Sequence, residues 1–229
     1  MGEPLTLAVL YEDDALLAVD KPSGLAVHRG LDDGDDNVVA RLGRLGFARA
    51  VAPVHRLDRA TSGVLVCAKT PAAASALGAA FATGEVRKRY IALVRGGLKD
   101  ARDVDHPIPR GEGGARVAAR TRITPLAEVT IDGSPLRERR YTLVCAEPVT
   151  GRFHQIRRHL KHLGHPVIGD ANYGKSEHNR FIRSRFGLDR LALHAESIAL
   201  PHPASGEPLD IHAPLPRDLA GALRAMKLG

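Results

Sequence analysis

The sequence predicts an α+β fold with a mixed, largely antiparallel sheet and flanking helices. Three observations carry this reading. Short apolar runs rich in β-branched residues outnumber the helical stretches. They are not separated by regular helical crossovers, which argues against a doubly wound parallel sheet. And the chain holds no internal repeat, coiled-coil pattern or low-complexity tail.

Taken in order, LTLAVLYEDDALLAVD at 5–20 reads as two short strands around an acidic turn, and KPSG follows as a sharp turn. GLDDGDDN at 30–37 reads as an exposed acidic loop, and 38–46 suits a short helix. GVLVCAK at 63–69 is a compact, β-branched run and predicts a buried strand. Pro71 to Thr83 is alanine-rich and opens on proline, as helices do. RYIALVRG at 89–96 is a further strand. Residues 96–122 are rich in Gly, Pro and Arg and predict an irregular, mobile, basic excursion. RYTLVCAE at 140–147 is a strand. TGRFHQIRRHLKHLG at 150–164 is the clearest helix, with Phe153, Ile156, Leu160 and Leu163 on one face and Gly164 as its stop. SEHNRFIRSRFG allows a second helix. RLALHAESIAL at 190–200 and LDIHAPLP near the end complete the strands before a small C-terminal helix.

The 229 residues suit one domain, or one domain with two lobes. Apolar content of 44% with 26% charge is ordinary for a globular protein, and no apolar run is long enough to span a membrane. MGEPLTLAVL lacks a basic n-region, so no signal peptide is expected. MGEPLT also fits the loose N-myristoylation pattern, but such short patterns recur by chance. Cys67 and Cys145 form no CxxC, which predicts two buried thiols in strands and a reducing, cytoplasmic setting. The net charge of +7 marks a candidate polyanion binder. Only seven of the 33 basic residues are lysine. Arginine forks onto phosphate and stacks on bases, so the bias suits RNA, although an Ala- and Arg-rich genome produces the same composition.

Three motifs compete to carry the chemistry. GDANYGKS at 169–176 has the spacing of a phosphate-cradling P-loop. Such a loop needs a strand running in and a second strand ending in an acid for magnesium. The upstream GHPVI is short and interrupted by Pro166, and no apolar run ending in Asp follows. A nucleotide hydrolase is therefore the weaker reading. The second motif is HRLDRATSGVLVCAK at 55–69, where Asp58 stands between Arg56 and Arg59. Flanking cations favour a charged carboxylate, which is a poor general base but a competent nucleophile. The bland alternative, an Asp–Arg bridge holding the turn, is somewhat favoured by these residues alone. The third is the cationic face of the 150–164 helix, with Arg152, His154, Arg157, Arg158, His159, Lys161 and His162. Such a face could follow a nucleic acid backbone, lend an arginine to Asp58, or simply be solvated. Its histidines lack HExxH or cysteine companions and sit in a field that repels cations, so no metal site is expected.

Together these residues resemble the RluA-type pseudouridine synthase family. HRLDRATSG resembles the catalytic motif, KPSGLAVH at 21–28 the first motif, and KRY at 88–90 the tyrosine motif. TGRFHQIRRHL with GHPVIGDANYG resembles the third motif, and LALHA at 191–195 the last. The motifs run in family order over about residues 7–215. The resemblance makes GDANYG the turn after the arginine helix and the P-loop spacing a coincidence. It implies the pseudouridine synthase fold with a central RNA-binding cleft, as a single catalytic domain over 1–229 without an N-terminal S4 domain. It implies Asp58 as the catalytic residue. Arg56 would help extrude the target uridine and take its place, Tyr90 would stack on the uracil, Arg157 would pair with Asp58, and Leu193 would line the uracil pocket. It also implies uridine isomerisation with no cofactor and no metal. A base inside stacked RNA must be flipped out to be reached, which fits an aromatic platform and a cationic filler.

Three local features resemble the branch acting on uridine 65 of tRNA: HQIRRHLKHLGHPVIGD, NRFIRSRFGLDRLALHA and the close LYEDDALLAVDKPSG start. The alternative substrates within the family are 23S rRNA and a tRNA anticodon stem. An inactive RNA-binding module is the reading from another class. The presence of Asp58, Arg56 and Tyr90 together argues against it.

Overall fold

A computed structural model describes residues 7–29, 36–47, 51–110 and 114–228. In chain order the elements are β1 (Ala8–Glu12), β2 (Leu16–Lys21), α1 (Val38–Arg44), β3 (Ala52–Pro53), β4 (Ser62–Ala68), α2 (Pro71–Thr83), β5 (Arg87–Arg95) and β6 (Arg102–Asp105). Then come β7 (Ile108–Pro109), β8 (Arg116–Val117), β9 (Arg120–Thr130), β10 (Arg140–Pro148), α3 (Gln155–His162), α4 (Ser176–Phe186), β11 (Leu193–Pro201), β12 (Pro208–His212) and α5 (Arg217–Ala225). The chain forms two compact units, one from residues 1–88 and 195–214, the other from 89–194 and 215–229.

In the first unit β4 is buried along its whole length, as its run of Val, Leu and Cys demands. It pairs antiparallel with β2 and β3, while β1 pairs with β2 and β12 with β11. Asp13 makes the β1–β2 turn by accepting the N–H groups of Ala15 and Leu16, both at 2.8 Å. Helix α2 covers one face of this sheet. Thr70 caps it by accepting the Ala73 N–H, Pro71 sits in its first turn, and Gly84 ends it at φ +80°. Its Ala73, Leu77 and Ala80 pack with Leu16, Val64 and Val66.

In the second unit the strand order is β5-β10-β9-β6, and the described ladders are antiparallel. The β9–β10 hairpin changes register opposite Leu143 and Val144, where Pro125 and the exposed Leu126 fall on β9. A bulge is where a strand tolerates a proline without a ladder N–H. Helix α3 packs on β9 and β10, and α4 on α5. Both cysteines are buried thiols outside any disulfide, Cys67 in β4 and Cys145 in β10, and burial raises the Cys67 thiol to about 12.

Two expectations need correction. Residues 96–122 are not an irregular excursion: β6, the β7–β8 ribbon and the start of β9 occupy them. Gly and Pro there mark short connections, and Val104, Ile108 and Ala119 are buried anchors too sparse to show as periodicity. The helix expected over 150–164 begins only at Gln155, because His154 adopts a left-handed φ of 55°. Phe153 therefore lies outside the helix, exposed and stacked on His154 at 3.7 Å. The MGEPLT pattern and most of the acidic 30–37 loop lie outside the described residues.

Candidate active site

The HRLDRATSG segment is the loop that leads into β4, and both of its ends are pinned. At its start His55 accepts the Val66 N–H through Nε2 at 3.0 Å. Burial, with the Lys88 charge, pushes His55 down to about 4, so the ring is the neutral acceptor this bond requires. Leu57 is buried beside it. Past Asp58 the chain is stapled to the KPSG turn. The buried Lys21 ammonium donates to the carbonyls of Leu25 at 2.8 Å, Pro22 at 3.0 Å and Arg59 at 3.2 Å. Gly24 N–H donates to the Arg59 carbonyl, Ser23 Oγ to the Ala60 carbonyl at 2.7 Å, and Arg59 Nε to the Gly24 carbonyl. The Thr61 N–H closes the turn on the Asp58 carbonyl at 3.0 Å. Asp58 is thus half-buried on a backbone fixed on both sides, and Arg56 is exposed next to it. Gly63 is obligatory: its φ is +114°, and a Cβ there would lie 2.1 Å from the Ala195 carbonyl oxygen.

The other three sequence-predicted residues are in the second unit. Tyr90 is on β5, buried and paired in register with Ala146, and Leu193 opens β11, also buried. Arg157 is on α3 and only 5% exposed. That removes it from any solvent-facing track for an RNA backbone. Its Nε donates to Asp170 Oδ2 at 2.7 Å and its Nη2 to Oδ1 at 2.8 Å. His159 is likewise withdrawn from the cationic face. It is fully buried, hydrogen-bonded to Thr121 Oγ1 at 2.9 Å and to the His106 carbonyl at 3.0 Å. An eight-residue helix packed on two strands must bury one whole side, and Gln155, Ile156, His159 and Leu160 form it. Arg152, Lys161 and His162 remain exposed, while Arg158 donates to Tyr173 Oη at 2.8 Å and to the Pro109 carbonyl.

Sequence reasoning missed Asp170. The signal was present, an acid thirteen positions after Arg157 in a glycine-flanked turn, but the P-loop spacing competed for it. The structure resolves that competition. The N–H groups of Asn172 and Tyr173 point at Asp170 Oδ1, and that of Gly174 at the Asp170 carbonyl. The backbone donors a phosphate would need are committed to Asp170, two to its carboxylate and one to its carbonyl. The segment before this turn contributes a single bridge, Val167 to Val94, in place of a strand. Among the described residues no group of three or more His, Cys, Asp or Glu is placed to hold a metal ion.

The donors of the Asp170 turn are already committed within the protein, which argues against a nucleotide hydrolase. The model of the RNA pseudouridylate synthase family matches residues 15–162, and the chain belongs to that family. It is 39% identical to the tRNA pseudouridine synthase C of Vibrio cholerae, over 95% of this chain and 94% of that protein. It is 41% identical to the enzyme of the same name from Salmonella typhimurium, over 91% and 85%. Among solved structures it resembles human RNA Pseudouridylate Synthase Domain Containing 1, with a TM-score of 0.77 and 26% identity over 97% of this chain and 89% of that one. Human RNA Pseudouridylate Synthase Domain Containing 4 gives 0.74 and 26%, over 96% and 93%. The chain is thus a pseudouridine synthase, an isomerase with RNA as its substrate.

Proposed function

We propose that this chain converts uridine 65 of tRNA into pseudouridine, with residues 1–229 acting as one catalytic domain. The observation that carries this reading is the near end-to-end likeness, at about 40% identity, to enzymes named tRNA pseudouridine synthase C. In the reaction the bond between N1 and C1′ breaks, the uracil turns, and C5 bonds to C1′. C5 gives up its proton and N1 gains one, so the reaction balances without a cofactor. Asp58 supplies the reacting carboxylate. Attack on C1′, addition to C6 and removal of the 2′ proton all begin at one of its oxygens. Arg56 fills the gap left by the extruded base, Tyr90 stacks on the uracil, Leu193 packs against it, and Arg157 orients Asp58.

The test maps pseudouridine in tRNA and rRNA from cells with and without the gene. The expected result is loss of the signal at tRNA position 65 and its return on complementation. Loss confined to 23S rRNA or to an anticodon stem contradicts the substrate assignment and leaves the isomerase standing.

A further inference from the structure

We propose that Asp170, backed by Asn172, is a positioning residue for the isomerisation: it fixes the Arg157 guanidinium in the one orientation the reaction uses. The inference rests on the reading above only in assigning Arg157 to the reaction. The Asp170 side chain is fully buried and that of Arg157 nearly so. Both carboxylate oxygens are used, Oδ2 by Nε at 2.7 Å and Oδ1 by Nη2 at 2.8 Å, and Asn172 Oδ1 takes a second Nη2 bond at 3.2 Å. The guanidinium carbon also stands 5.2 Å from the centre of the Tyr173 ring. An arginine has several rotatable bonds, and a side-on fork of this kind fixes them together.

A buried ion pair is often no more stabilising than apolar groups of the same volume, which leaves a geometric role to be explained. The turn around it points the same way. Gly169 has φ +77°, and a Cβ there would come 1.8 Å from the Arg190 carbonyl oxygen. Gly174 is pressed onto the Asp170 carbonyl, where a Cβ would lie 2.3 Å away. Asn179 accepts the Gly169 N–H and donates to the Asp170 carbonyl. Burial alone would raise the Asp170 carboxyl. The Arg157 bonds, with the Tyr173 and Asn172 N–H groups, hold it below the usual range instead. An entire glycine-bounded turn is organised about one carboxylate whose side-chain partner is Arg157.

The test compares single-turnover rates and RNA affinities of Asp170→Asn, Arg157→Ala and the double variant. The substrate is a tRNA transcript carrying uridine 65, or the RNA that the cellular mapping identifies if the wild type leaves that transcript unmodified. Asp170→Asn is expected to slow turnover about a hundredfold, with Kd within about threefold of wild type. In the Arg157→Ala background the same change is expected to alter the rate less than about twofold, because its route of action is already gone. A wild-type rate for folded Asp170→Asn, or losses that multiply in the double variant, overturns the proposal. Wild-type turnover by Arg157→Ala removes the role of Arg157 and this proposal with it, whereas a slow Arg157→Ala beside a fast Asp170→Asn removes this proposal alone. Should Asp170→Asn not fold, Asn172→Ala at its exposed position decides. A rate loss of about threefold at unchanged melting temperature supports positioning, and a wild-type rate refutes it.

Discussion

Tyr90 and Asp58 make different demands on chemistry, and substitution separates them. A stacking platform needs only a ring, so Tyr90→Phe should retain most of the RNA affinity. Tyr90→Ala, which also empties a buried position, should cost about 1–3 kcal/mol of binding. Equal losses in a filter-binding titration would point to the hydroxyl instead. Gly63 shows how narrowly the Asp58 loop is specified. Gly63→Ala forces a side chain onto the Ala195 carbonyl at a φ few L-residues adopt. We expect a loss of at least about 3 kcal/mol in urea unfolding, together with loss of turnover. At this scale the sequence was informative wherever a residue acts through its neighbours in the chain. Asp58 stood out because Arg56, Arg59 and the Thr-Ser-Gly turn surround it within a few positions. Asp170 did not, because its partner is a helix away and the turn's glycines imitate another motif. His159 was misplaced because polar character alone does not tell a solvated imidazole from a buried one bonded to Thr121.

Among the elements, α2 illustrates a helix whose ends the sequence spells out, from Thr70 and Pro71 to Gly84. Thr70→Ala removes the acceptor of the Ala73 N–H and should cost about 1 kcal/mol, read as a melting temperature lower by roughly 2–4 °C. The buried strands β4, β5 and β10 were legible for a different reason: each carries a compact β-branched or apolar run. The start of α3 was not. A left-handed residue other than glycine is rare, so nothing in TGRFHQ announces that His154 ends one conformation and begins another. The short strands of 96–122 were hidden because ribbons of two to four residues carry too few side chains to set a period.

For the whole molecule, charge governs both partner and stability. A net charge of +7 rich in arginine should make RNA affinity fall steeply with salt, as release of phosphate counterions requires. A flat plot of log Kd against log salt would argue against a polyanion partner. The pH dependence of stability follows from its histidines. His55 is held below its unfolded value of 6.5, at about 4, so the folded state favours its neutral form. That contribution is complete above pH 6.5 and is lost as pH falls toward 4, while the unfolded chain binds the extra proton. Burial shifts His159 in the same direction. Asp13 acts lower. Burial would raise it, but the Leu16 N–H, His202, the Ala15 N–H and Tyr11 bring it down to about 2. Its contribution is present above pH 3.8 and disappears as pH drops toward 2. Urea unfolding at a series of pH values should therefore show stability declining below pH 6.5, with a shallower decline in His55→Asn.

The central claim is that the carboxylate of Asp58 carries the isomerisation, and purified Asp58→Ala tests it most directly. Incubated with tRNA transcript, this variant should form no pseudouridine at position 65 while binding the transcript within about threefold of the wild-type Kd. Product formed at a rate approaching that of the wild type would place the chemistry elsewhere in the molecule.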